Sequence, residues 1–444
     1  MPSTVRVIGE YEETNVPSSV LDELEHILNA SWNDRLYGEK VVGNTQRFMD
    51  IDRYRSTVKS AQYVGVIQTP ALRLTVLPKI FGERDAETEA ERVTRSSKNL
   101  LYFLSYTKNL KLPSSTIGAF EKQPRMDFFE VFIRLFAGYT FKVMKRHLYK
   151  TYEVVESNGS FVRGRIDFDK HLRANVFRNR MDRVACTYDL FHENVLFNRI
   201  VKFVASSLIR QTTDGENRRM LRRLLALLAD VDIRHCTRHD CDKVVLQKTQ
   251  SDLAPILDYC RLFLSNSLVQ LNAKNTNIFC FLLDMNRLFE EFVSGFLETH
   301  TELFTKGIVT PQKKAILTEE GYFLMYFDIF IEEQSKPPLL IDTKYKRVDF
   351  EAADSRYGPA QSDLYQMVTY AVRSGCDKVA LLYPRYDDQD LTSPVRFTIR
   401  DSSSGRLITI VAAQLDLTML PEGKDACDRE VGRQFESLLE EIKR

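Results

Sequence analysis

The stretch YFDIFIEEQSKPPLLIDTKYKRV, Tyr326 to Val348, limits what this chain can fold into more than any other. Val, Ile, Leu, Phe and Tyr dominate two short runs on either side of SKPP. Such side chains favour a pleated, half-buried surface, and the Pro-rich polar link favours a turn. The runs predict two neighbouring strands. They also carry Asp328, Asp342 and Lys344. A buried carboxylate or ammonium is costly unless it is paired or holds a metal, so a sheet carrying all three needs a reason to keep them.

Residues two apart on a strand share a face. Asp342 and Lys344 therefore point the same way, Thr343 points to the other side, and Asp328 on the neighbouring strand falls within reach of Asp342. Converging carboxylates repel unless they share a cation, and hard oxygen donors of this kind suit Mg2+, with Mn2+ as an alternative. A nearby ammonium orients water and offsets charge growing on a phosphate. The preceding segment, MNRLFEEFV, reads as a helix whose apolar stripe is Met285, Leu288, Phe289, Phe292, Val293 and Phe296. At about 100° per residue, Glu290 lies on the stripe's edge and Glu291 nearer solvent, which favours Glu290 as a third ligand. Downstream, Gln366 and Tyr370 are four apart in a helix and share a face. The same residues also suit a solvated Lys–Asp pair and an ordinary polar helix edge.

At 444 residues the chain predicts two or three domains. Residues 1–85 read as a mixed β/helical region containing the strands AQYVGVIQ and LRLTVLPKIFG, a β-rich docking region for a partner. Residues 86–275 read as mostly helical, with a β-hairpin near 152–168 signalled by Asn158-Gly159. Residues 276–425 read as helix, strand, strand, helix, strand: an α/β domain with a mixed sheet. A C-terminal helix is expected over 426–444. The fold class is α+β and multidomain.

Helix Glu, strand Asp, Asp-x-Lys and then helical Gln-x-x-x-Tyr resembles the PD-(D/E)xK nuclease fold in its RecB-like form. Three further segments are similar to the McrC family, the nuclease subunit of the McrBC modified-cytosine restriction system: YVGVIQTPALRLTVLPKIFG; VRGRIDF with CTYDLFHENVLFNRIVK; and MNRLFEEFV leading into IDTKYK. The likeness spreads over residues 60 to 385. It implies metal ligation by Asp328, Asp342 and Glu290, a water-positioning or charge-stabilising Lys344, and a supporting Gln366–Tyr370 pair. It further implies a type IV restriction endonuclease of antiphage defence that hydrolyses DNA phosphodiesters. The implied partner is a ring-forming, McrB-like AAA+ GTPase hexamer that this subunit stimulates. The chain departs from the pattern at Phe327, where Pro or Gly precedes the first acid; the acid itself is kept. A stand-alone RecB-like nuclease and a non-catalytic GTPase-activating adaptor are the competing readings.

Other signals bound the function. GEKVVGNT, Gly38 to Thr45, has phosphate-loop spacing but Asn44 where the Lys must be, so GTP is expected only through the partner. HCTRHDC offers His235, Cys236, His239 and Cys241, yet no second Cys or His pair lies near to complete a zinc site. Arg163, Arg165, Arg173, Arg178, Arg180 and Arg183 form a basic stretch open to a solvated face, DNA backbone contact or the GTPase ring. No GxSxG or triad pattern supports serine chemistry. A net charge of +1 excludes a generic polyanion binder and leaves DNA to a local patch. Seven scattered cysteines argue for a reducing compartment. With neither an apolar leader nor a spanning run of about 18 apolar residues, no membrane is expected and the protein is read as cytoplasmic.

Overall fold

A computed structural model of the chain describes residues 4–35, 46–82, 87–107, 128–271, 277–305, 307–318, 320–322, 324–333, 337–350, 358–390, 392–400 and 405–443. The chain divides into two compact units, one made of Met1–Phe132 with Ser265–Arg444 and the other of Ile133–Leu264. The phosphate-loop-like Gly38 to Thr45 lies outside the described residues. Among the described residues no helix is long and apolar enough to cross a membrane.

In the first unit the expected strands Tyr63–Gln68 and Leu72–Leu77 form an antiparallel pair. Thr4–Gly9 joins Leu72–Leu77 in parallel, while Asn277–Asp284 and Ser267–Leu271 continue the sheet on the other side. Gly65 is required there, because a Cβ would collide with the Phe281 carbonyl oxygen. Helix Leu21–Arg35 covers the sheet with Leu24, Ile27 and Leu28, which share one core with Phe48, Leu74 and Val76. This grouping differs from the four consecutive segments expected from sequence. Strand Asn277–Asp284 pairs with Tyr63–Gln68 across some 200 residues of chain, so the N-terminal region and the later α/β segment share one unit.

The second sheet of this unit is mixed, as its pattern predicts. Its order is Ile308–Ile316, Leu324–Glu332, Leu339–Thr343, Lys378–Pro384, Leu407–Leu415, Val395–Arg400. The two central pairings are parallel and the outer ones antiparallel. Helix Gln361–Ser374 packs Met367, Tyr370 and Ala371 with Phe327, Phe330, Leu340, Val379 and Leu381. The alternate residues Ile329, Ile341, Ala380 and Leu382 are buried too, so both faces of the central strands are covered. Helix Met285–Thr299 contacts the Asp328 and Asp342 strands, and its Phe296 stacks on Phe435 of helix Lys424–Lys443.

The second unit contains helices Leu196–Gln211 and Gly215–Leu227 and a three-stranded sheet. The expected hairpin at Asn158-Gly159 does not form. Strand Thr151–Gly159 runs through both residues and pairs with Val184–His192, opposite Ala185 and Val184. Asn158 and Asn175 exchange side-chain hydrogen bonds of 2.9 and 2.8 Å, so the amide serves a tertiary contact rather than a turn.

Candidate active site

The helix Met285–Thr299 begins where Asp284 caps it by accepting from the Asn286 and Arg287 backbone N–H groups. Its apolar stripe is buried, and Glu290 at the stripe's edge turns to the sheet. There its carboxyl is pushed up to about 7 by burial and by the charges of Asp328 and Asp342. Glu291 instead pairs with Arg287 at 2.7 Å. The helical period thus separates the two adjacent glutamates by about 100°.

Asp342 is buried at the end of its strand, and Lys344 Nζ lies 2.7 Å from its Oδ2. That contact is an ion pair without hydrogen-bond alignment, so the buried oxygen has no hydrogen-bond partner. The ammonium also donates to Gln366 Oε1 at 3.0 Å, and Gln366 Nε2 donates to the Tyr370 hydroxyl at 2.7 Å. Asp342, Lys344, Gln366 and Tyr370 therefore form one continuous chain of polar contacts. Burial lowers the affinity of Lys344 for its proton, but Asp342 and Asp328 outweigh this and raise its pKa. Both aspartates are raised, mainly by burial; Asp328 adds to the shift of Asp342. Phe327, the departure from the family pattern, is buried with its ring centroid 4.9 Å from that of Tyr370, so it supports the same chain.

Three neighbours were not read from the sequence. Thr343, expected on the far side, donates its backbone N–H and hydroxyl to Asp328 Oδ2, each at 2.8 Å. Pairing between these two strands ends at Ile329–Ile341, so the Thr343 N–H is released from that ladder and strict alternation stops with it. Gln312 donates to Glu290 Oε1. Asp363, buried in the first turn of the Gln366 helix, pairs with Lys346 at 2.5 Å and accepts from the Tyr383 hydroxyl at 3.1 Å. Its spacing of three from Gln366 was a legible signal; Gln312 had none.

The donor chemistry fits a hard divalent ion. All candidate donors are carboxylate oxygens, burial and then like charge raise Glu290 and Asp342 above the ordinary carboxylate range, and one buried oxygen lacks a hydrogen bond. Among the described residues, however, no three His, Cys, Asp or Glu side chains close on one point at metal-ligand spacing. Asp328 is taken up by Thr343, and Glu290 by Gln312.

The other candidates lie in the second unit. Arg163, Arg165, Arg173, Arg178 and Arg180 are exposed on and beside its small sheet, with Arg163 over the Tyr188 ring. The HCTRHDC segment is partly buried. Cys236 and Cys241 are buried, which pushes their thiols up to about 11 and about 12, and His235 packs on Phe203. Thr237 and Asp240 form a capping box on helix Arg238–Asp242. Both cysteines serve as buried packing residues here, and among the described residues no group of three His, Cys, Asp or Glu gathers at metal-ligand spacing.

Residues 58–384 match the family described as McrBC 5-methylcytosine restriction system component. The chain is similar to one in a refined half-complex from a tetradecameric assembly of Thermococcus gammatolerans McrB AAA+ hexamers with bound McrC. That match has a TM-score of 0.68 and 18% identity, covering 97% of this chain and 100% of that chain. It is also similar to a chain of the cryo-EM structure of the Thermococcus gammatolerans McrBC complex, with TM-score 0.50 and 19% identity, covering 66% and 87% respectively. At these identities the likeness shows the fold. No curated protein matches.

Proposed function

This chain belongs to the McrBC family of 5-methylcytosine restriction system components, and on that premise we propose that it is the McrC-like DNA endonuclease subunit. The observation that carries the reading is the polar chain Asp342–Lys344–Gln366–Tyr370 beside Asp328 and Glu290, set on a mixed sheet in PD-(D/E)xK order. Asp328, Asp342 and Glu290 would hold Mg2+ or Mn2+. When bound, the ion supplies Lewis-acid polarisation of the scissile phosphodiester.

The chain's own residues do the rest. Asp342 and Gln366 grip Lys344 from two sides, so its ammonium is held in one direction instead of sampling the rotamers of a free lysine. An ammonium fixed beside the carboxylates offsets negative charge on the phosphate as the transition state forms, without reorganising. The Lys344 ammonium can only donate, so it takes the Gln366 amide oxygen and leaves the amide nitrogen to donate to the Tyr370 hydroxyl. The oxygen-rich site sits on rigid strands and helices, which suits positioning of a nucleophilic water against phosphorus.

The partner is an McrB-type AAA+ hexamer, as in the similar solved structure of McrB AAA+ hexamers with bound McrC, and on this reading that ring is the GTPase. The second unit's small sheet supports this. Phe161 and Phe177, in the segments that follow its strand Thr151–Gly159, are 80% and 79% exposed, and Tyr152, Val154 and Met181 are exposed too. Large apolar side chains left exposed in this number suit a protein contact. The reading places the protein in cytoplasmic restriction of modified DNA, with GTP hydrolysed by the partner.

Cleavage of methylated plasmid by the chain with its GTPase, GTP and Mg2+, followed together with GTP turnover, tests the assignment. Asp342→Ala is expected to lose cleavage and keep GTPase stimulation. Wild-type cleavage by that variant would sink the site. Stimulation without any wild-type cleavage would favour the adaptor reading, and cutting that needs no GTPase would favour a stand-alone nuclease.

A further inference from the structure

Glu10 follows the first strand of the N-terminal sheet and is almost wholly buried. Its Oε2 accepts from the Tyr345 hydroxyl at 2.9 Å and from the Lys79 backbone N–H at 2.8 Å, while its buried Oε1 has no hydrogen-bond partner. The Lys79 side chain completes the grip. Its Nζ donates to the Tyr345 carbonyl oxygen at 3.0 Å and lies 4.6 Å from the centre of the Tyr345 ring and 4.8 Å from that of Tyr11. Tyr345 is thus held at its hydroxyl, its ring face and its carbonyl. On its other side it packs against Phe289, the residue before Glu290, with ring centroids 5.8 Å apart.

Tyr345 follows Lys344, whose own backbone N–H donates to the Leu382 carbonyl at 2.9 Å. The Lys344 backbone is therefore pinned from both sides, by the sheet at its amide and by Glu10 and Lys79 through the next residue. Burial pushes the Glu10 carboxyl up to about 7 despite Lys79, so the charge is held at a cost to the fold. The side-chain contacts that Glu10 and Lys79 make at this cost go to Tyr345, the residue after Lys344.

We infer that Glu10 and Lys79 are positioning residues for the nuclease centre, fixing Tyr345 so that Lys344 projects between Asp342 and Gln366. This rests on the nuclease reading of that centre. A lysine has four side-chain torsions, and aiming its ammonium demands a fixed backbone at its root. Misplacing a reacting group by about 1 Å can cost about 100-fold in rate.

The test compares wild type, the double variant Glu10→Gln/Lys79→Met and Tyr345→Phe, each with the partner GTPase, GTP and Mg2+ at pH 8 on methylated plasmid. The double variant removes both charges with side chains of similar length, so the melting temperature is expected to stay at or above that of wild type. Its kcat for cleavage is expected to fall at least about tenfold, with KM for DNA within about twofold, because the lost aim acts on the chemical step and not on DNA binding. Tyr345→Phe removes a single hydroxyl and is expected to lower kcat less, again with KM unmoved. GTPase stimulation stays at the wild-type level in both. Folded variants that both cut at the wild-type rate overturn the inference, as does a fall in GTP turnover equal to the fall in cleavage. A wild-type chain that never cuts overturns the nuclease reading itself, and this inference with it.

Discussion

Thr343 donates both its backbone N–H and its hydroxyl to one oxygen of Asp328, each across 2.8 Å. The two residues sit on neighbouring strands, and the two hydrogen bonds fix the direction of the carboxyl and favour its charged form against the burial that raises its pKa. Thr343→Val keeps the shape and the N–H but removes the hydroxyl. Losing a hydrogen bond to a charged group costs about 1.5–3 kcal/mol, so the variant is expected to melt lower and to require more Mg2+ for half-maximal cleavage. An unchanged Mg2+ requirement would count against Asp328 as a ligand.

Gln312 has φ of +51°, a left-handed conformation that a side chain other than Gly adopts at a cost. It sits between the paired positions Pro311–Ile329 and Lys313–Phe327, opposite Asp328, and its amide reaches Glu290. Gln312→Gly relieves strain of about 1 kcal/mol and adds a similar entropic cost in the unfolded chain. Stability is therefore expected to change little while cleavage falls. If cleavage and melting temperature fall together, the amide has only a structural part.

Glu10 gives a pH signature. Its folded pKa of about 7 lies above the ordinary 4.5, so the folded state binds the extra proton between these values. The stability linked to Glu10 is fully present below about pH 4.5 and is lost as pH rises through about 7, a change of about 3 kcal/mol. Urea unfolding of wild type and Glu10→Gln across pH 4.5 to 8 should show the difference between them drifting by that amount, to the disadvantage of wild type at high pH. Parallel curves would mean that Glu10 titrates normally.

The exposed ring pair Phe161 and Phe177 separates the two proposed roles. Replacing both with Ser removes nothing from a core, and surface changes of this kind usually shift stability by less than about 0.5 kcal/mol. GTPase stimulation is expected to fall at least about tenfold, as for loss of an interface anchor, and cleavage that depends on the ring falls with it. Circular dichroism and melting check the fold, and GTP turnover at rising subunit concentration checks the contact. Full stimulation by the double variant would remove this surface from the interface.

The residues that local spacing governs were legible. A two-residue strand period put Asp342 and Lys344 on one face, and the structure pairs them. A helical period chose Glu290 over Glu291 for the sheet side and put Gln366 in reach of Tyr370. The strands about TPA and the helices of the middle segment also follow from their periods. Asn158-Gly159 misled because a turn dipeptide states only what the backbone tolerates. Two long strands found more pairing by running through it.

The sequence by itself determined which side chains share a face and hence the chemistry that the acids, the lysine and the Gln-x-x-x-Tyr pair can perform. Only the tertiary structure decided that strand Asn277–Asp284 joins an N-terminal sheet, that Thr343 turns to Asp328 where pairing stops, and that Glu10 and Lys79 hold Tyr345 from more than 250 residues away. The physical reason is range. Backbone periodicity fixes directions within an element, whereas which elements meet depends on burial and hydrogen bonding summed over the whole chain.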